Sequence, residues 1–285
     1  MTTATRAQIP PRTPEPPRAP DLPAEPTGLA AWASRHRSPL LGTLGGLIVL
    51  VAWQVCAWTG AVDVSFSSSP ILIAKAEGTL FGTGEIYPAL GATGWELLWG
   101  LLITFVAGIP IGLVLGRSRI LHDMTEPLVN VLYSVPYVMF LPIIIFWFGI
   151  NDASRIVVIV WAGILPLIIN VTAGVRNLDN DYIRVATVFC APRLRFFSAV
   201  ALPATLPYIL AGIRLAVGRA LVGAIVAELF LASQGLGYFV QNSTSNFDMD
   251  SAFAGIVLLA AAALLLNWGV RLIERRFTHW AGAQQ

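Results

Sequence analysis

Charge is what this chain has least of. Only 12% of its 285 residues are Asp, Glu, Lys or Arg, against about 25% in an ordinary soluble domain, while 56% are apolar. A chain of that composition cannot turn most of its surface to water. A cytosolic enzyme, a nucleic-acid binder and a disordered protein are therefore poor readings. Lysine occurs once, at Lys75. A P-loop needs Gly-x-x-x-x-Gly-Lys-Ser/Thr, and Lys75 does not stand in one. Cysteine occurs twice, at Cys56 in an apolar run and Cys190 in an arginine-rich stretch, too few for a disulfide framework and without metal-ligand spacing. His36, His122 and His279 are scattered beside arginines, so converging groups for metal or acid–base chemistry are missing. The net charge of +2 steers the chain to no polyanion.

Long uncharged runs take the place of charge. Twenty-five uncharged residues separate Arg37 from Asp63 and Glu126 from Asp152; twenty separate Glu96 from Arg117, Arg155 from Arg176 and Asp250 from Arg271. Each can cross a hydrocarbon core of about 30 Å at about 1.5 Å per helical residue. A sixth apolar stretch, Pro207 to Leu231, is interrupted only by Arg214, Arg219 and Glu228. Alternation at strand spacing is absent, which argues against a barrel. The expectation is an all-α integral membrane protein of six helices, a first span at 39–61 and a core at 93–276 with spans near 93–116, 127–149, 155–175, 205–231 and 251–271. Nine of the 19 prolines precede Leu40, and residues 1–38 are expected to form a disordered cytoplasmic tail rather than a cleaved leader.

The few charges set an orientation. One set of flanks carries eleven arginines: Arg35, Arg37, Arg117, Arg119, Arg176, Arg184, Arg193, Arg195, Arg271, Arg275 and Arg276. The other carries Lys75 and Arg155 among carboxylates such as Asp63, Glu96, Asp152 and Asp250. Cations gather on the cytoplasmic side, so both termini are expected there. The extracytoplasmic segment 62–92 contains Ser67-Ser68-Ser69-Pro70, a helix start, so a short helix over Ile71–Leu80 is expected to lie along the membrane face as a lid.

The cytoplasmic loop 176–204 has a pattern of its own. Tyr182, Val185, Ala186 and Phe189 recur at helical spacing, Asp179-Asn180-Asp181 supplies capping groups, and Cys190-Ala191-Pro192 breaks the helix. A second segment, Arg193 to Val200, is expected to end at Leu202-Pro203. Such an amphipathic surface helix suits lipid headgroups or a groove on a soluble partner.

The stretch from Arg184 to Pro203 resembles the "EAA" loop of ATP-binding-cassette importer permeases: E-A-A, three residues, G, nine residues, I, one residue, L-P. Ala186, Leu202 and Pro203 match, Val200 is conservative, and Arg184, Val185 and Cys190 depart. Further segments resemble the permeases of nitrate, aliphatic sulfonate and taurine importers: Gly108-Ile109-Pro110-Ile111-Gly112, Leu141-Pro142-Ile143, Leu165-Pro166-Leu167, Leu206-Pro207-Tyr208 and Gly235-Leu236-Gly237-Tyr238. The resemblance implies a type I importer permease fold. It implies a second permease copy, a cytosolic ATPase dimer that binds ATP and Mg2+ in place of this chain, and an extracytoplasmic solute-binding protein. It also implies that Arg184, Val185, Ala186, Phe189, Cys190, Ala191, Val200, Leu202 and Pro203 form the ATPase-coupling loop. The solute it points to is a small organic or inorganic anion, and no catalytic residue or metal is expected. An ion-coupled secondary transporter is the rival, but its spans would need more acidic groups than Glu228 alone.

Charges inside the fifth span cost about 2.5–3.5 kcal/mol each at a bilayer centre and should face protein or water. Arg219 either lines the solute's pathway and attracts an anion, or pairs with a neighbouring helix or snorkels to the inner interface. Arg214 reads as a snorkelling or anchoring residue, and Glu228 as a gate group or a structural hydrogen bond. Tyr133, Tyr137, Trp161 and Asn170 bring polar handles into apolar spans, and each is a pathway candidate or a packing residue.

Overall fold

The computed structural model describes residues 29–178, 184, 188, 192, 197–231 and 233–277. No strand occurs among the described residues. The helices are α1 (Leu29–Trp58), α2 (Val64–Ser67), α3 (Pro70–Thr83), α4 (Tyr87–Arg117), α5 (Arg119–Ser134), α6 (Leu141–Phe148), α7 (Asp152–Arg176), α8 (Leu202–Leu231), α9 (Leu236–Ser245) and α10 (Met249–Phe277). A 3-10 turn, Tyr137–Phe140, precedes α6, and a π-helical turn, Phe197–Ala201, precedes α8. Five helices are long and apolar enough to cross a membrane: α1 over Leu41–Trp58, α4, α7, α8 with its π turn, and α10. The expected tail lies mostly outside the described residues, as do Val185, Ala186, Phe189, Cys190 and Ala191 of the coupling loop.

The chain divides into two compact units, Met1–Ala52 and Trp53–Gln285. In the first, residues 41–52 of α1 are exposed. The second is built around α7. A Cβ added to Gly108, Gly112 or Gly116 of α4 would come within 2.8 Å of Leu167, 2.7 Å of Val171 or 2.5 Å of Val175, and one on Gly100 would run into Ile159. Every one of these partners lies 59 positions further on, a separation that recurs between Glu96 and Arg155. Small residues let the two backbones approach closely where lipid supplies no hydrophobic drive for association. A constant difference in number also means that α4 and α7 run parallel. On the other flank α8 runs antiparallel: Gly174 faces Thr205 and Tyr208, Gly212 faces Leu167 and Asn170, and Gly223 faces Ile159 and Ala162.

Two parallel spans need one crossing between them, and the segment that supplies it is not the straight helix expected at 127–149. Helix α5 starts earlier, at Arg119, where the Ser118 hydroxyl accepts the Leu121 N–H at 3.3 Å. It stops at Ser134 because Val135 precedes a proline and takes an extended conformation, φ −78° and ψ 127°. The chain resumes as the 3-10 turn and α6, bent by 90° from α5. Helix α4 likewise begins six residues before the expected 93, with Pro88 in its first turn. Leu202-Pro203 opens α8 rather than ending the preceding segment, since proline is tolerated in a first helical turn.

Helix α3 follows the expected start: Ser69 accepts the Leu72 N–H at 3.4 Å, Pro70 occupies the first turn, and Gly84 at φ 81° ends the helix. Ile73 and Leu80 are buried with Ile86, Leu236, Ala254 and Leu259. The Ser68 hydroxyl donates to Asp250 at 2.6 Å, fastening the segment to the start of α10.

Candidate functional site

The break at Val135-Pro136 opens a cavity of about 320 Å3 between α5, α7 and α8, walled by Tyr133, Ser134, Tyr137, Trp161, Leu165 and Arg219. Arg219 is exposed on α8, with its guanidinium carbon 5.6 Å from the centre of the Tyr133 ring. One of its N–H groups donates to the Tyr133 hydroxyl at 3.4 Å. Across the cavity Trp161 packs its ring 5.0 Å from that of Phe140, and its buried indole Nε1 has no hydrogen-bond partner among the described residues. No carboxylate lines the cavity among the described residues. Its polar groups are a guanidinium and hydroxyls, an array that can donate several hydrogen bonds and neutralise one negative charge. It lies at the break in a span, where membrane proteins tolerate irregular backbone because it faces a cavity.

Four of the six pathway candidates therefore meet at one place: Arg219, Tyr133, Tyr137 and Trp161. Asn170 does not join them. Its side-chain amide donates to the Pro166 carbonyl at 2.8 Å, and its Cβ packs against Gly212 at the α7–α8 interface.

Glu228 is also elsewhere, fully buried and engaged in holding α9. It accepts the Thr93 hydroxyl at 2.5 Å and the Gly237 N–H at 2.6 Å, while Thr93 accepts the Leu236 N–H at 2.8 Å. Gly235 offers no side chain to cap α9, so Thr93 of α4 and Glu228 of α8 satisfy the first N–H groups of that helix. Any side chain at Gly235 would be strained at φ 111° and would strike Glu228.

Charge-counting along the sequence missed a second buried cluster. Arg155, 4% exposed, donates from Nε to Glu96, 1% exposed, at 2.7 Å. Its other nitrogens reach the Leu231 carbonyl at 3.2 Å and Asp152 at 2.5 Å. One guanidinium thus ties α4 and the end of α8 to the first turn of α7, where Asn151 and Ser154 form a capping box. Both residues had read as charges flanking spans; Arg155 lies in the first turn of α7, whereas Glu96 lies well inside α4, which starts at Tyr87. Arg214 pairs with Glu274 of α10, a partner its sequence position did not suggest.

A multi-pass helical bundle with a donor-lined cavity at a broken span has the construction of a membrane permease. Residues 108–279 match the family described as binding-protein-dependent transport system inner membrane component, and the chain belongs to that family. It is 32% identical over 244 residues to SsuC of Bacillus subtilis (strain 168), a protein named for aliphatic sulfonates transport, across 86% of this chain and 88% of that one. It is 31% identical over 259 residues to the taurine transport system permease protein TauC of Escherichia coli (strain K12), across 88% and 93%. The bicarbonate transport system permease protein CmpB of Synechococcus elongatus is 28% identical, across 88% and 94%. The fold is shared with the methionine ABC transporter MetNI in inward-facing conformations, with a TM-score of 0.61 at 16% identity over 69% of this chain and 99% of that one. The protein is a multi-pass ABC importer permease.

Proposed function

We propose that this permease passes a small oxyanion of the sulfonate, taurine or bicarbonate kind through the Arg219 cavity. The observation that carries the reading is the wall itself: a guanidinium and hydroxyls, with no carboxylate among the described residues that line it. The names of the relatives, for sulfonates, taurine and bicarbonate, support the same solute class. Transport is powered from outside the chain. A cytosolic ATPase dimer holds ATP and Mg2+, a second permease copy completes the pathway, and an extracytoplasmic binding protein delivers the solute. The ATPase docks on the loop 176–204, through Arg184, Val185, Ala186, Phe189, Cys190, Ala191, Val200, Leu202 and Pro203. The arginine-rich flanks support a cytoplasmic position for that loop and for both termini. Within it Arg184 is helical and exposed, and Val200 is half-buried in the π turn.

The test is uptake into proteoliposomes holding the permease with its ATPase and binding protein, supplied with labelled taurine, ethanesulfonate or bicarbonate. A hydrogen bond to a charged group contributes about 1.5–3 kcal/mol, so Arg219→Gln should slow uptake roughly ten- to hundredfold, with Arg219→Lys retaining part of it. Unchanged uptake by Arg219→Gln would exclude an essential charge in the cavity.

A further inference from the structure

The Arg219 cavity is one of two along a single seam. On α5, His122, Glu126, Asn130 and Tyr133 follow one another at four, four and three residues; on α7, Trp161, Leu165, Thr172 and Arg176 do so at four, seven and four. Each set occupies one face of its helix. Tyr133, Trp161 and Leu165 wall the Arg219 cavity. The others wall a second cavity of about 260 Å3 towards the C-terminal end of α7. Trp161 and Thr172, one in each wall, are separated by roughly 16 Å along the helix axis.

The second cavity shares with the first an arginine and polar side chains, and differs from it in holding a carboxylate and an imidazole. Arg176 is exposed and has no ion pair or hydrogen bond with another described residue. The Asn130 side chain is likewise without a partner among the described residues. The Thr172 hydroxyl is committed to the Gly112 carbonyl at 3.1 Å. Glu126 is the one carboxylate on the wall among the described residues, and it lies against His122, 3.2 Å from Nε2. The cation at Arg176 also suits the negative end of the α7 dipole, so its position is favourable before any ligand arrives.

We propose that this second cavity is a further station for a small oxyanion, on a track along the α5–α7 seam from Arg219 to Arg176. The proposal rests on the reading that the Arg219 cavity lies on the solute's path. Two modest sites in series let an anion enter without trapping it in one deep well, the condition that conduction sets on any pathway. Selection for the anion is then built into the permease and is not left wholly to the binding protein.

The experiment reads charge selectivity in each cavity of the assembled importer. In a Cys56→Ala/Cys190→Ala background, Thr125→Cys reports on the second cavity and Ser134→Cys on the first. Each reporter is reacted with anionic 2-sulfonatoethyl methanethiosulfonate and with cationic 2-(trimethylammonio)ethyl methanethiosulfonate, and the ratio of the two rates is taken. At the Thr125→Cys reporter, Arg176→Gln should lower the anion-to-cation ratio about fivefold or more, and Arg176→Lys should preserve it. At the Ser134→Cys reporter the ratio should respond to Arg219→Gln and not to Arg176→Gln. A response confined to Ser134→Cys overturns the second station and leaves the first intact. No response at either position overturns both, and failure of both reagents to reach Thr125→Cys overturns the track.

Discussion

The Arg155 guanidinium donates to Glu96 at 2.7 Å across a separation of 59 residues, the same separation that seats the α7 side chains on the α4 glycines. The ion pair is therefore the polar last rung of an apolar ladder. It has one geometry open to it because the ladder has one register. Removing one partner of a buried pair leaves an uncompensated charge and costs about 3–5 kcal/mol, whereas replacing both by apolar groups is often close to neutral. Arg155→Leu should lower the unfolding midpoint in detergent by that amount of stability, and Glu96→Leu/Arg155→Leu should recover most of it. A double variant no better than the single would mean that the bonds from Arg155 to Leu231 and Asp152 matter more than the pair.

The glycine ladder makes its own prediction. Gly100→Ala forces a methyl group into Ile159, and overpacking of this kind costs about 1–3 kcal/mol. Gly91, on the same helix, has nothing within 4 Å of an added Cβ, so Gly91→Ala should be neutral or slightly stabilising. Adding Ile159→Ala to Gly100→Ala should restore part of the loss. Thermal unfolding of the three variants in one detergent separates steric contact from helix propensity.

Glu228 tests the division between structure and pathway. If its work is to hold α9, Glu228→Ala should speed amide hydrogen exchange over residues 236–245 by roughly ten- to hundredfold, the equivalent of about 1.5–3 kcal/mol, and leave α7 protected. Transport that falls while exchange in α9 is unchanged would return Glu228 to the pathway.

Much of the site is legible in the sequence because the bilayer makes polar groups conspicuous. Arg219, Tyr133, Tyr137 and Trp161 stand out in apolar spans, and the structure gathers them. Asn170 stands out for the same reason yet spends its amide on its own helix, a local choice that spacing does not reveal. Glu96 and Arg155 escape for the opposite reason: the same counting that finds spans treats charges as their ends. The 90° bend was signalled by Val135-Pro136, but proline also occurs within α4, α7 and α8 without dividing them, at Pro110, Pro166 and Pro207. The glycines of α4 are visible at helical spacing, whereas the side chains they receive depend on a parallel pairing that only three dimensions supply.

The parallel seat of α4 on α7 and the antiparallel seat of α8 also govern how motion can travel. Knobs resting on glycines resist sliding by less than a full turn, about 5 Å, because every intermediate position collides. A force applied at the ends of α7 and α8 would thus move α4, α7 and α8 together, as one stiff plate. The one place where the described helices leave that register beside the Arg219 cavity is the 90° break at Val135-Pro136.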